Sequence, residues 1–479
     1  MRRGYSGPDR RCMLREVCVI RIWGRVLNGN ILRIALADLF IFFFAVILAV
    51  FVRLEPDEAR FYAAGHLLPI GFLPIVFFVC FIIADLYDLK KDFRSARHLL
   101  NVFSACAAAM LISAALFYSS MQYLGRGVFA VSGVLIFLSA SLVRSVSTSL
   151  GSKERWQKKV LIVGAGTAGE KLLRTVTDNP GCGINIVGFV DDDPSKTGRT
   201  VRGKPVYGTC DELIDVSGRL NADIVAVCVT GCKNDSLARN LVRCHYNHIT
   251  VMDMPSVYEA ITGKLPLDNI TDDWLLTSAI SGSRGAYRKT KRLLDIIFSL
   301  ALLYLSSPVA LLAAMAVKLD SRGGLFYKQE RVGMNFRKFK ILKFRTMIHN
   351  ADKSRGPTPA VKNDPRITRV GRIIRKLRID EIPQLINVLM GDMSFVGPRP
   401  DIENVVTALN REIPSYGYRL TVKPGITGWA QVCHCPAATK EEFVEKLRYD
   451  LYYIKNMSIM LDLLIVLKTI RTVITFGGH

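Results

Sequence analysis

Residues 293–317 read LLDIIFSLALLYLSSPVALLAAMAV, and how this run meets a bilayer decides where the rest of the chain lies. At about 25 residues it is long enough to cross as a helix. Lys291 and Arg292 precede it and Lys318 and Arg322 follow it, so the positive-inside rule places both flanks in the cytoplasm. Ser306, Ser307 and Pro308 stand near its centre. A proline removes an amide donor and clashes with the carbonyl four residues back, which bends a helix. A helix that enters one leaflet and returns satisfies both facts. An ordinary kinked crossing is the competing reading, and it would put everything downstream outside the cell.

Four more apolar runs lie upstream: Ile31 to Phe51, Leu67 to Ile83, Leu99 to Tyr118 and Val128 to Val143. Each is near the ~20 residues of a spanning helix, and they are apolar all round rather than on one stripe. Arg2, Arg3, Arg10, Arg11, Arg15, Arg21, Arg25 and Arg33 crowd the start of the chain, whereas Glu55, Asp57 and Glu58 mark the first loop. Lys90, Lys91, Arg94 and Arg97 fill the second loop, and Lys153, Arg155, Lys158 and Lys159 follow the fourth run. Both ends of this four-helix unit are therefore expected in the cytoplasm. No cleavable signal peptide is expected, because the first run is too long for an h-region and lacks a small-residue cleavage site.

Composition agrees. Of 479 residues 50% are hydrophobic and only 22% charged, which excludes a disordered chain and is too apolar for an ordinary soluble enzyme. The net charge of +23 points to anionic lipid or an anionic substrate, with nucleic acid as the rival partner. Eleven cysteines show no repeated spacing, so neither a zinc framework nor a disulfide scaffold is indicated. Cys433, His434 and Cys435 are the one cluster, and adjacent residues seldom complete a tetrahedral site alone.

From residue 151 to 256 the chain turns soluble. The strand Lys159 to Val163 runs into Gly164-Ala165-Gly166-Thr167-Ala168-Gly169 and a helical stretch. This is the strand–glycine turn–helix order of a Rossmann-like domain. Gly164, Gly166 and Gly169 are the candidate phosphate turn, and Asp191, closing the strand Ile184 to Val190, is the candidate ribose acid. A scaffold with no bound nucleotide is the alternative.

A linker over 257–290 leads to residues 291–479, which carry 30 Lys and Arg against 16 Asp and Glu, +14 of the whole charge. Arg366, Arg369, Arg372, Arg375 and Arg378 recur at every third position, with Ile367, Val370, Ile373, Ile374 and Leu377 between them. Such a helix suits an anionic membrane surface, or is simply a solvated face on a core helix. No aromatic residues interleave, which disfavours nucleic acid. The series runs into Arg378-Ile379-Asp380-Glu381-Ile382-Pro383. Acids are favoured at helix starts, but two neighbouring carboxylates there also point ~100° apart and can do different jobs. One can attack phosphorus while the other holds Mg²⁺ or takes a proton. Lys343-Phe344-Arg345-Thr346 and Gly397-Pro398-Arg399-Pro400 supply phosphate-binding cations with few candidate bases, as phosphoryl transfer requires.

The segment Lys291 to Ile474 resembles the bacterial sugar transferase domain of the polyprenyl-phosphate phosphoglycosyl transferases. The matching pieces are Lys291 to Asp295, Gln329 to Gly333, Lys343 to Met347, Asn363 to Thr368, Asp380 to Val388, Gly397 to Pro400 and Lys423 to Val432. The four runs and the middle domain resemble the large members of that family. The resemblance implies a basic segment over 1–30, a four-helix transmembrane domain over 31–150, the Rossmann-like domain, and a monotopic, α-rich catalytic domain with a re-entrant helix. It implies Asp380 as nucleophile and Glu381 as its partner for Mg²⁺ or a proton. Lys343, Arg345, Thr346, Arg366 and Arg399 become substrate contacts, with Asp364 and Asp392 as weaker candidates. UDP-sugar and undecaprenyl phosphate are the implied substrates, and a multi-pass place in the bacterial inner membrane the implied location; a homo-oligomer is compatible with it. A membrane glycosyltransferase releasing UDP, or a nucleotide-sensing regulator without activity, are the rival functions. Two departures, Arg378-Ile379 before the acids and Cys433-His434 after Val432, bear on sugar preference rather than chemistry.

Overall fold

The computed structural model describes residues 29–84, 86–87, 95–120, 124–150, 157–179, 182–229, 235–267, 284–348, 364–433 and 439–474. His434 and Cys435, the N-terminal arginines up to Arg25, Lys90, Lys91, Arg94 and Asn363 lie outside them. The chain divides into two compact units, Met1–Thr262 and Gly263–His479.

The first unit opens with α1 (Gly29–Arg53), α2 (Pro56–Gly65), α3 (Leu67–Ile83), α4 (Ala96–Ser120) and α5 (Arg126–Leu150). Phe42, Leu73, Phe77, Phe81, Val102 and Ile136 fill the centre of this bundle. Its outer surface keeps Phe40, Leu68, Leu100, Leu111 and Leu142 exposed, as lipid-facing helices do. By length and composition α1, α4 and α5 can each cross a membrane alone. The run Leu67 to Ile83 is 17 residues as a helix, and reaches spanning length only together with α2, to which it is bent by 81°.

The rest of the described residues of this unit are built around a four-stranded parallel sheet. Its strands are β1 (Lys158–Val163), β2 (Ile184–Val190), β5 (Ile224–Val227) and β6 (Thr250–Asp253), in the order β2-β1-β5-β6. A small antiparallel pair, β3 (Thr200–Val201) with β4 (Lys204–Pro205), lies between β2 and β5 in sequence. Val160 and Ile162 join one core with helix α6 (Thr167–Thr177) and α9 (Met254–Thr262). Leu161 and Val163 join the other, with α7 (Leu213–Leu220) and α8 (Asp235–Tyr246). A strand buried on both faces explains why Val160 to Val163 is apolar without alternation.

The first long helix among the described residues of the second unit is α10 (Arg284–Asp320), a single helix of 37 residues. The expected run 293–317 is thus the middle of a longer element. Pro308 leaves the carbonyl of Tyr304 without its amide, and the Ser307 hydroxyl donates to that oxygen at 2.7 Å. Between the helix ends Leu300, Tyr304, Leu305, Leu311 and Leu312 are exposed. Both ends are fastened to the same unit. Near the start, Arg292 donates to the carbonyls of Val388 and Leu389 at 2.5 and 2.8 Å, and Asp295 accepts from Ser394 Oγ and Phe395 N at 2.8 and 3.1 Å. Near the finish, Ala313 and Val317 join a core with Phe344 and Ile374, and Asp320 accepts from Val370 N at 3.1 Å.

Two strand pairs and a set of helices complete the unit. The hairpin is β7 (Phe326–Val332) with β8 (Lys338–Phe344), and the parallel pair is β9 (Ser394–Val396) with β10 (Gly425–Thr427). The helices are α11 (Arg369–Lys376), α12 (Gln384–Met390), α13 (Glu403–Glu412), α14 (Trp429–Cys433), α15 (Lys440–Lys455) and α16 (Ile459–Ile474). The arginine series is longer than its helix: α11 is capped by the Thr368 hydroxyl, leaving Arg366 before it, and Arg378 lies beyond its end.

Candidate active site

The two acids sit on a tight 3₁₀ turn, Ile379–Glu381, entered through Arg378 at φ 57°. A left-handed residue costs about 1–2 kcal/mol for any side chain but glycine. Here it reverses the chain after α11 so that Asp380 points inward, 7% exposed. Pro383 follows immediately before α12, where its missing amide breaks no helical bond.

Glu381 collects the cations. Its Oε1 lies 3.0 Å from Lys343 Nζ on β8, 3.0 Å from Arg399 Nη2 and 3.8 Å from Arg378 Nη1. Burial alone would raise its pKa, but the Arg399, Lys343 and Arg378 charges outweigh burial and hold the group well below the usual range. Asp380 accepts no hydrogen bond among the described residues. Burial, joined by the negative charge of Glu381 and only partly opposed by Lys343, pushes it up to about 6. The adjacent acids therefore differ: one lies among three cations that favour its ionised form, the other is a desolvated carboxylate with no hydrogen bond among the described residues.

Arg399 is held by glycines. β9 and β10 come so close that a Cβ on Gly397 would stand 2.5 Å from the Lys423 carbonyl, and one on Gly425 2.1 Å from the amide of Gly397. Gly397 N donates to Thr427 O at 2.8 Å and Gly425 N to Pro398 O at 2.9 Å. The two glycine-proline motifs are thus the two sides of one junction that presents Arg399.

The bacterial sugar transferase family model matches residues 286–476, and a CoA-binding domain model matches 83–255. A UDP-glucose:undecaprenyl-phosphate glucose-1-phosphate transferase of Xanthomonas campestris pv. campestris is 31% identical over 72% of this chain and 72% of its own. The chain belongs to the bacterial sugar transferase family. A UDP-N-acetylgalactosamine-undecaprenyl-phosphate N-acetylgalactosaminephosphotransferase of Aeromonas hydrophila is 44% identical to this chain over 52% of the chain and 60% of its own length. A UDP-glucose:undecaprenyl-phosphate glucose-1-phosphate transferase of Escherichia coli is 28% identical over 85% and 88%.

Of the residues read from sequence, the fold brings Asp380, Glu381, Lys343 and Arg399 together. Arg345 is placed otherwise: its guanidinium donates to the Arg322 and Ser321 carbonyls at 3.0 and 2.7 Å, closing the end of α10. Arg366 forms a two-pronged pair with Asp364 at 2.7 Å, both buried. The Thr346 carbonyl accepts from Thr368 N at 3.1 Å and helps seat α11. Arg378, read as one of a periodic series and as a departure just before the acids, belongs to the carboxylate cluster; its position two residues before Asp380 was the available signal.

In the parallel-sheet domain the three glycines have separate duties. Gly164 has φ +103° and lies against the Cys228 backbone, and a Cβ on Gly169 would meet the Gly164 carbonyl at 2.1 Å. Gly166 faces open space. Asp191 Oδ2 accepts from Ala165 N at 2.6 Å and pairs with Lys196 at 3.2 Å, so this acid binds the glycine turn itself.

Proposed function

We propose that this chain transfers a sugar 1-phosphate from a UDP-sugar to undecaprenyl phosphate, with Asp380 as covalent carrier. The observation that carries the reading is the division of charge between neighbours: the cations pair with Glu381 and leave the Asp380 carboxylate buried and uncommitted. An Asp380 oxygen attacks the sugar-bearing phosphorus, the bond to the UMP oxygen breaks, and UMP leaves. An oxygen of undecaprenyl phosphate then attacks the same phosphorus, frees Asp380 and yields a lipid diphosphate sugar. Lys343, Arg399 and Arg378 offset the charge of the incoming diphosphate.

Among the described residues no three His, Cys, Asp or Glu side chains gather as a metal cage. The donors nevertheless suit Mg²⁺, which keeps water and phosphate ligands and needs only one or two carboxylates. Asp380 and the second oxygen of Glu381 would hold it, and it would neutralise diphosphate charge.

The membrane half of the reading rests on α10. Because its start is fastened to α12 and β9 and its finish to Phe344 and Val370, the exposed apolar middle is best satisfied by entering and leaving the same leaflet. In this reading Asp380 works at headgroup depth on the cytoplasmic face of the inner membrane, between a soluble donor and a lipid acceptor. In the parallel-sheet domain the open side of Gly166 is where a nucleotide phosphate would approach.

The test is product identity. Membranes carrying the chain are incubated with undecaprenyl phosphate and UDP-glucose, UDP-galactose, UDP-N-acetylglucosamine or UDP-N-acetylgalactosamine in turn. UMP as the nucleotide product, with radiolabelled sugar phosphate retained on protein in the absence of acceptor, is expected. Release of UDP instead means that only the sugar moves, and the covalent scheme is wrong.

A further inference from the structure

Behind Arg399 lies a closed set of charges with no part in the steps above. Arg419 is 2% exposed, and its Nη2 donates to the main-chain carbonyl of Arg399 at 2.8 Å. Its Nη1 donates to Tyr416 Oη at 2.6 Å and pairs with Asp401, while Asp450 stands 3.0 Å from Nη2. Asp401 also accepts from Tyr416 Oη at 2.8 Å and from Lys446 Nζ at 3.2 Å. The next two carbonyls are held from elsewhere: Pro400 O by Arg331 Nη1 at 3.2 Å, and Asp401 O by Val332 N at 3.1 Å. Pro398 and Pro400 contribute no amide of their own, so the turn depends on outside donors for its shape.

We infer that Arg419 is a positioning residue, which fixes the Arg399 guanidinium against Glu381 by holding the Arg399 carbonyl. Burying a guanidinium is costly unless every charge finds a partner, and an apolar side chain would fill this space more cheaply if packing were its only purpose. Asp401, Asp450, Lys446 and Tyr416 keep Arg419 in one arrangement, and two of its contacts, to Arg399 O and Asp401, fall on the turn that carries the substrate cation. The inference rests on the proposed contact between Arg399 and the donor diphosphate.

The test measures UDP binding to the full-length protein in nanodiscs by calorimetry, so that it is independent of turnover. Arg399→Gln and Arg419→Lys are each expected to weaken UDP binding by about tenfold, and the double variant to be no weaker than Arg399→Gln within about twofold, because residues acting as a unit are not additive. Losses that multiply in the double variant overturn the inference. Should Arg419→Lys fail to fold, Tyr416→Phe keeps the shape of the site and removes two of the bonds. It is expected to weaken binding by about two- to fivefold alone and not at all beside Arg399→Gln. Wild-type affinity in Arg399→Gln would overturn the diphosphate contact on which the inference stands. UMP release that survives Asp380→Asn would instead overturn the covalent reaction and leave the Arg419–Arg399 coupling intact.

Discussion

Arg399 Nη2 lies 3.0 Å from Glu381 Oε1, the same oxygen that Lys343 Nζ reaches at 3.0 Å. One carboxylate oxygen thus ties together a strand, a glycine-proline turn and the 3₁₀ turn of the acids. Its neighbour Asp380 is spared these pairings, and the proposed division of the two adjacent acids into nucleophile and anchor rests on that asymmetry.

Removing the anchor charge should therefore cost more than a single contact. Glu381→Gln leaves Lys343 and Arg399 unpaired, and initial rates of UMP release are expected to fall by about 10²–10³-fold, the range seen when a preorganised charge at a reaction centre is lost. Lys343→Met should fall less, by about 10–10²-fold, since Arg399 and Arg378 remain. Equal rates for Glu381→Gln and wild type would remove Glu381 from the reaction.

The same asymmetry predicts a pH profile. Burial, with the charge of Glu381, pushes Asp380 up to about 6, and only the ionised form can attack phosphorus. kcat/KM for the UDP-sugar should be flat above that value and fall about tenfold per unit below it, because protonation removes the nucleophile. Glu381 is held far lower and stays ionised throughout. Glu381→Gln takes away a like charge, so the acid limb should move to lower pH; an unmoved acid limb would mean that Glu381 does not act on Asp380.

Much of this was legible in the residues. A continuous apolar strand running into GxGxxG located the turn of the parallel sheet, and the Asp-Glu-x-Pro sequence located the acids. What sequence could not show is which cations serve the site and which serve the scaffold. Arg345 and Arg399 are both arginines in polar motifs, yet one closes the end of a helix and the other pairs with Glu381. That choice is made by contacts between residues far apart in the chain. The shortness of α11 against its arginine period has a local cause instead: the Thr368 hydroxyl caps the helix, and Arg366 pairs with Asp364 two residues away.

Asn387 is one of these long-range contacts. It is fully buried on α12, its Oδ1 accepts from Leu342 N at 3.0 Å and its Nδ2 donates to Lys340 O at 2.9 Å. The side chain thus completes the free edge of β8 as a neighbouring strand would, next to Lys343. Asn387→Ala leaves the part-buried Leu342 amide and Lys340 carbonyl without this partner and should destabilise the protein by about 1–3 kcal/mol. A melting temperature within a degree of wild type in purified protein would show that the edge is satisfied some other way. Asn387→Asp keeps the acceptor but sets a carboxylate against the Lys340 carbonyl, so it should not rescue stability.

In the membrane bundle the buried pair of Asp38 on α1 and Arg144 on α5 makes a parallel prediction. The ions are 2.9 Å apart, Arg144 also donates to Ala140 O at 3.1 Å, and its guanidinium lies 5.2 Å from the centre of the Phe81 ring. A charge this far from water is tolerated only with its partner. Arg144→Met alone should therefore destabilise the bundle by about 3–5 kcal/mol, because it strands Asp38. Asp38→Leu with Arg144→Met removes both charges and should recover most of that loss. Unfolding of the wild type, Arg144→Met, Asp38→Leu and the double variant in detergent, followed by helical circular dichroism, gives the coupling directly: a double variant that melts at or below the worse single one would show that the pair does not join α1 to α5.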